Sequence, residues 1–296
     1  MEKLRFWFST HKVTAILGIL IILALGGGIF AFQKISTKPS GLAQEVDLIF
    51  DAEGPYALTI PRNDGNAMIL NLKRTSSYDE ISYELAYTSE AEKVAERGGK
   101  VLEEGEEGGV IERGVVGTIN TTDRKGEYEQ EILFGTCSKN VCKYDQGVEN
   151  GTLTLRIKKG NNVYKMVTQW HLQRPDIALG KLSSGDEHFK YEIDTDRETL
   201  SGVGYSIVND LTGVPKLPSE KEVLGKVYAL NVPIAKDLPT GQVTYELAQD
   251  SPEGAKIYVF YESTNEWQEL DTKVEGSKLS AAANGSGIFA VLVPQK

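Results

Sequence analysis

Side chains that carry chemistry are scarce in this chain. Among 296 residues there are two cysteines and three histidines, and no GxSxG, HExxH, P-loop or strand-to-helix GxGxxG pattern occurs. Motif-based readings as a nucleophile-elbow hydrolase, a zinc peptidase or a nucleotide-binding fold are excluded. His11 precedes a long apolar run, while His171 and His188 fall in or beside strand-like segments and are expected on solvated faces. A single cysteine pair rules out a multi-bridge disulfide framework, and no histidine lies near it to complete a zinc site. The chain is therefore expected to have no catalytic, cofactor or metal residues and not to be an enzyme; a hydrolase built from scattered carboxylates stays open as a third reading.

Basic clusters interleaved with aromatics are missing as well. Lys and Arg number 32 against 42 Asp and Glu, for a formal net charge of −10, so the surface repels phosphate backbones and no nucleic-acid partner is expected.

One long hydrophobic run is present. Residues 13–32, VTAILGILIILALGGGIFAF, contain no charge, and a helix of that length spans about 30 Å of hydrocarbon. Lys12 closes the run on one side and Lys34 on the other, with Phe6, Trp7 and Phe8 placed for the headgroup level. The expectation is a single-pass signal anchor with residues 1–12 cytoplasmic, 13–32 in the membrane and 33–45 as a polar stalk. A cleaved signal peptide is the rival, because Gly26 and Gly28 supply small residues, but the apolar run exceeds a typical h-region. Small-xxx-small pairs such as Thr14/Gly18 and Ala24/Gly28 are compatible with close helix approach.

Beyond the stalk the pattern changes to period two. Leu153, Leu155 and Ile157 share one strand face, opposite Thr152, Thr154, Arg156 and Lys158. Tyr164, Met166, Thr168, Trp170 and Leu172 share another, with Trp170 as a core anchor. Short segments of this kind, bounded by Gly, Pro, Asn, Asp or Ser, recur from residue 46 to the C-terminus. The fold is expected to be mainly β: two antiparallel, Ig-like β-sandwich domains at 46–197 and 198–296, the second with seven short strands and its prolines between them. Residues 89–109 are rich in Glu and Gly, and they read as an acidic loop of the first domain.

Cys137 and Cys142 suit a disulfide across the neck of a tight hairpin in an oxidising compartment. A metal half-site and a redox pair are the alternatives, the latter lacking the two-residue spacing. An exposed rigid loop is also a place for recognition, so Ser138, Lys139, Asn140 and Tyr144 are candidate binding residues. Carboxylates at Glu103, Glu104, Glu106 and Glu107, and at Asp194 and Asp196, are possible starts of a cation site, against a solvated charge run. Asn120, Asn150 and Asn284 each begin an N-glycosylation pattern.

The last forty residues carry Trp267-x-x-Leu270, then Gly276-x-x-x-Ser280-Ala281, then Gly287-x-Phe289-Ala290-Val291. This succession resembles the closing β module of membrane-anchored bacterial surface proteins. It is also distantly similar to sandwich modules that self-cleave at His-Phe-Ser, but Asn284-Gly285-Ser286-Gly287 stands there, so self-cleavage is not implied. The segment around LFGTCSKNVCKYDQGVENGTLTLR is similar to membrane-anchored proteins of small-genome bacteria that have no assigned activity. The anchor, the stalk and the absence of catalytic motifs lead to the expectation of a tethered extracytoplasmic protein that binds a surface glycan or a protein partner, or else serves as a structural subunit of a cell-envelope assembly.

Overall fold

The structure, a computed structural model, describes residues 44–90, 109–123, 125–139 and 141–295. The expected cytoplasmic segment, anchor and most of the stalk, together with Glu103, Glu104, Glu106 and Glu107 of the acidic loop, lie outside the described residues. Among those described, no helix is long and apolar enough to cross a membrane.

The chain is mainly β, in several antiparallel sheets. In chain order the strands are β1 (Gln44–Asp47), β2 (Tyr56–Pro61), β3 (Ala67–Lys73), β4 (Glu80–Glu90), β5 (Val110–Ile119), β6 (Glu127–Leu133), β7 (Gly135–Ser138), β8 (Val141–Tyr144), β9 (Asn150–Lys159) and β10 (Asn162–Gln173). After the short helix α1 (Pro175–Ala178) come β11 (Lys181–Ser183) and β12 (Phe189–Glu192), then helix α2 (Arg197–Val203). There follow β13 (Ser206–Leu211), β14 (Lys221–Asn231), β15 (Gly241–Glu246), β16 (Lys256–Tyr261), β17 (Glu266–Glu269), β18 (Lys273–Glu275), β19 (Lys278–Ala283) and β20 (Gly287–Pro294).

One ten-stranded sheet forms the frame, ordered β17-β16-β20-β14-β13-β10-β9-β4-β5 with β1 paired to β10. A three-stranded sheet, β2-β3-β6, and a five-stranded sheet, β11-β12-β15-β19-β18, pack against it. The alternation in β13 tells which goes where, because adjacent residues of a strand point to opposite faces. Val208 joins the core with the five-stranded sheet, and its neighbour Ile207 joins the core with β3, β6 and β9. Tyr228 and Leu230 of β14 alternate in the same way with Val227 and Ala229, which pack under β2.

The five-stranded and three-stranded sheets therefore lie on opposite faces of one shared sheet. This differs from two domains in series at 46–197 and 198–296. The β10–β13 ladder runs across that division at Trp170↔Asn209 through Gln173↔Ser206, and β12 pairs with β15 across it as well. Residues Glu45–Lys296 accordingly make one compact unit. Local alternation encodes which face of a strand is apolar, not which distant strand it pairs with, and the long ladder is for that reason invisible in the sequence.

Buried polar groups tie the layers. Asn209, with no exposed surface, donates from Nδ2 to the Ala57 carbonyl at 2.8 Å and accepts at Oδ1 from Thr59 Oγ1 at 2.9 Å and from Thr59 N at 3.3 Å. Asp196 caps α2: its Oδ1 accepts from Thr199 N at 2.9 Å and its Oδ2 from Thr199 Oγ1 at 2.8 Å. The Asp194/Asp196 pair thus has a structural use at Asp196, satisfying a helix-end N–H. A cap followed by inward Leu200 and Val203 is the signal available in the sequence for that helix.

Candidate functional site

Cys137 and Cys142 stand directly opposite in the β7–β8 hairpin and are disulfide-bonded, with Cα atoms 4.0 Å apart. Both are exposed, as are Ser138 and Lys139, and Val141 beside them is 73% exposed. Lys139 takes a left-handed φ of 48° at the tip; Asn140 lies outside the described residues. Tyr144 is half-buried, and the Arg62 guanidinium sits 5.5 Å from its ring centroid. Arg62 also binds Asp64 at 2.8 Å and Glu131 at 2.6 Å. Ser138 and Lys139 stand at the tip of the hairpin, and Tyr144 stands at its base opposite Gly135.

The bridge closes a loop with a sequence separation of 5, for which chain entropy is about 2 kcal/mol. Its reduction is expected to loosen the hairpin and leave the sheets folded. Near-unchanged far-ultraviolet circular dichroism after treatment with a phosphine reductant checks this; global unfolding contradicts it.

A concave site lies elsewhere, at one end of the shared sheet, with a volume of about 870 Å³. Its floor is built where β14 ends at Asn231, β20 begins at Gly287 and β16 ends at Tyr261. Leu58 and Ile60 of β2 and Asn71 of β3 make one wall, and the loop after β14, Val232 to Leu238, makes another. Gln268 of β17 and the turn at Asn284 to Ser286 complete the rim. Asn231 reaches this place by alternation: Tyr228 and Leu230 face the five-stranded sheet, so Asn231 shares the β2-facing side with Val227 and Ala229.

The lining mixes neutral polar and apolar side chains, with four amides, at Asn71, Asn231, Gln268 and Asn284. Asn284 Oδ1 accepts from Thr240 Oγ1 at 3.0 Å. Asn231 Nδ2 is buried with no protein hydrogen-bond partner among the described residues, as are Trp170 Nε1 and Gln173 Nε2 elsewhere. Within the wall loop Ala235 takes a left-handed φ of 66°. Next to it Ile234 is 63% exposed. Of the charges, Glu262 pairs with Lys73 at 3.5 Å, while Lys236 and Asp237 stand on the wall loop.

Sequence reasoning misses this site because its residues come from six separated segments and none forms a motif. The Asn-Gly-Ser-Gly turn before β20 is the one part of it that stands out in the sequence.

Neither a family model nor a curated protein matches the chain. Among the described residues no group of three or more His, Cys, Asp or Glu side chains is arranged to hold a metal ion.

Titratable groups elsewhere serve the fold. His171 Nδ1 lies 3.0 Å from the Ser183 carbonyl and His188 Nδ1 3.0 Å from that of Glu246. Asp186 accepts from Ser184 Oγ at 2.6 Å, from Lys226 Nζ at 2.7 Å and from the Tyr228 hydroxyl at 2.9 Å. Burial pushes its carboxyl up, but the bonds from Lys226, Ser184 and Tyr228 outweigh that and hold it at about 2, below the ordinary 3.8. A depressed acid adds stability that is fully present above its unfolded value and is lost as pH falls through its folded value. Asp186→Asn is therefore expected to flatten the fall in stability between pH 3.8 and about 2, measured by denaturant unfolding across that range. An unchanged slope contradicts the assignment.

Proposed function

We propose that the chain is a membrane-tethered extracytoplasmic binding or adhesion protein. A single helix at 13–32 anchors it, the N-terminus is cytoplasmic, and the β sheets outside present the cleft to a surface glycan or protein partner. The observation that carries this reading is a cleft of about 870 Å³ whose lining combines amide and hydroxyl side chains with apolar ones. A concave site of this size with a few polar groups on a partly apolar lining is the usual form of a ligand pocket. The disulfide supports an oxidising location.

Impermeant maleimide applied to intact cells tests the topology. Labelling of Cys137 and Cys142 only after reduction supports an outside location; thiols that react in lysate without reductant sink it.

A second reading, a subunit of an envelope assembly, is favoured by β5. It is the outer strand of the ten-stranded sheet, ten residues long, and its Val110 and Val116 are 72% and 77% exposed. Long apolar edges invite strand addition. The other end of the sheet is the short strand β17, bracketed by Glu266 and Glu269. Native mass spectrometry separates the two readings: a fixed oligomer lost in Val116→Lys favours assembly, and a monomer favours the tethered binder.

A further inference from the structure

We infer that the segment at residues 46–50 is a lipid-contacting foot, with Ile49 and Phe50 seated in the headgroup layer of the bilayer that holds the anchor. This assignment rests on the proposed tether and adds to it a second membrane contact, made by the folded part of the chain.

Val46, Ile49 and Phe50 are 38%, 82% and 38% exposed, and Ile49 is the most exposed large hydrophobic among the described residues. Single apolar residues scattered over a surface need no explanation, but these three fall within five consecutive positions. Strand pairing of β1 stops at Asp47. Leu48 N then bonds the Lys165 carbonyl at 2.7 Å, and Asp51 N bonds that of Thr212 at 2.8 Å. The backbone is thus fixed on either side of Ile49 and Phe50, so seating them in lipid costs little further chain entropy.

The surroundings suit a membrane–water interface. Leu48 packs against the same core as Tyr78 and Tyr164, whose rings meet edge-on at 6.2 Å. Lys159 Nζ stands 5.9 Å from the centroid of the Tyr78 ring. Burial raises the Tyr78 hydroxyl above its ordinary value, and Tyr164 and Asp51 add to the rise, which sets Asp51, the neighbour of Phe50, beside this aromatic pair. Apolar tips backed by tyrosines and a long basic side chain are what the headgroup level favours. Of the carboxylates nearby, Asp47 pairs with Lys165 at 3.9 Å and Asp51 accepts from Glu53 N at 2.9 Å. They disfavour anionic headgroups, so the lipid in question is zwitterionic.

Position along the chain selects lipid over a protein partner. Residues 33–43 are all that separate the apolar run from β1, and fully extended they reach about 40 Å. A contact tethered on so short a length sees its target at an effective concentration of about millimolar. Weak apolar contact is then enough, whereas a protein partner has to supply the whole of the association.

The test uses the full chain in phosphatidylcholine nanodiscs, with an environment-sensitive fluorophore on Ile49→Cys. Val116→Cys and Ile234→Cys, at positions 77% and 63% exposed, are the references; Cys137 and Cys142 are bridged and take no label. A spin label on the lipid headgroup is expected to quench the probe at 49 severalfold more than either reference, with blue-shifted emission at 49 alone. Phe50→Ser, added to the Ile49→Cys chain, is expected to bring that quenching down towards the references while the melting curve keeps its shape; Val46→Ser serves the same purpose if Phe50→Ser melts early. Equal quenching at all three positions, or quenching at 49 that neither substitution lowers, overturns the inference. The two failures differ in appearance: a chain recovered free of the discs sinks the tether, and a chain held in the discs with its three probes alike sinks the foot and leaves the tether standing.

Discussion

Trp170→Ala is expected to destabilise the protein by about 3–5 kcal/mol, the range for deleting a buried large aromatic. Trp170 is 2% exposed, and its indole stacks on Phe134 with centroids 5.4 Å apart and planes at 24°. Phe134 in turn meets Tyr87 edge-on at 5.3 Å, so the cavity opens between the shared sheet and the three-stranded sheet. Room for the indole comes from Gly151, its ladder partner: a Cβ there would stand 2.2 Å from Trp170 Cζ2 and 2.5 Å from the Ala86 carbonyl oxygen. Gly151→Val should therefore approach the same loss by overpacking. Trp170→Phe should cost much less, because it also removes an indole N–H that has no partner among the described residues. Urea unfolding at neutral pH ranks the three. A loss below about 1 kcal/mol for Trp170→Ala would show that this core is not anchored there.

Asn209→Ala should cost about 2–3 kcal/mol, since it strands the Ala57 carbonyl and removes the acceptor from the Thr59 hydroxyl, both buried. These bonds tie β2 to the centre of the shared sheet, and β2 carries Leu58 and Ile60 of the cleft wall. The loss should be local as well as global. Hydrogen exchange of Tyr56–Pro61 should accelerate more than that of β15 and β19, which lie in the five-stranded sheet. Uniform acceleration across all sheets would contradict the tie.

How much of this is legible in the sequence depends on the range of the interaction. Alternation identifies the inward sets of β9 and β10, and Leu153, Leu155, Ile157, Met166, Trp170 and Leu172 are all buried. The hairpin and its disulfide are legible as the reading that a spacing of five residues favours over a metal half-site or a redox pair. The segment VDLIF reads as a strand, but pairing stops at Asp47, where Leu48 N still bonds the Lys165 carbonyl at 2.7 Å. The three-residue strands β11 and β18 escape notice because each shows too little periodicity to register. The shared sheet is hidden for a different reason. Asn209 looks like an ordinary strand polar residue until β2, 150 residues away for Thr59, is laid across it. The cleft is likewise a product of that packing: Asn231 and Ile60 acquire a common surface only when β2 and β14 are layered.

Retention of the full chain on cell-envelope material from its own source tests most directly whether binding occurs in the cleft. Two single substitutions at exposed positions provide the contrast, Ile234→Arg on the cleft wall and Val141→Arg on the disulfide hairpin, at 63% and 73% exposure. With both variants folded as judged by their melting curves, Ile234→Arg is expected to abolish retention and Val141→Arg to leave it intact. Loss with Val141→Arg alone would move recognition to the hairpin, and unchanged retention in both would contradict a binding role for the cleft.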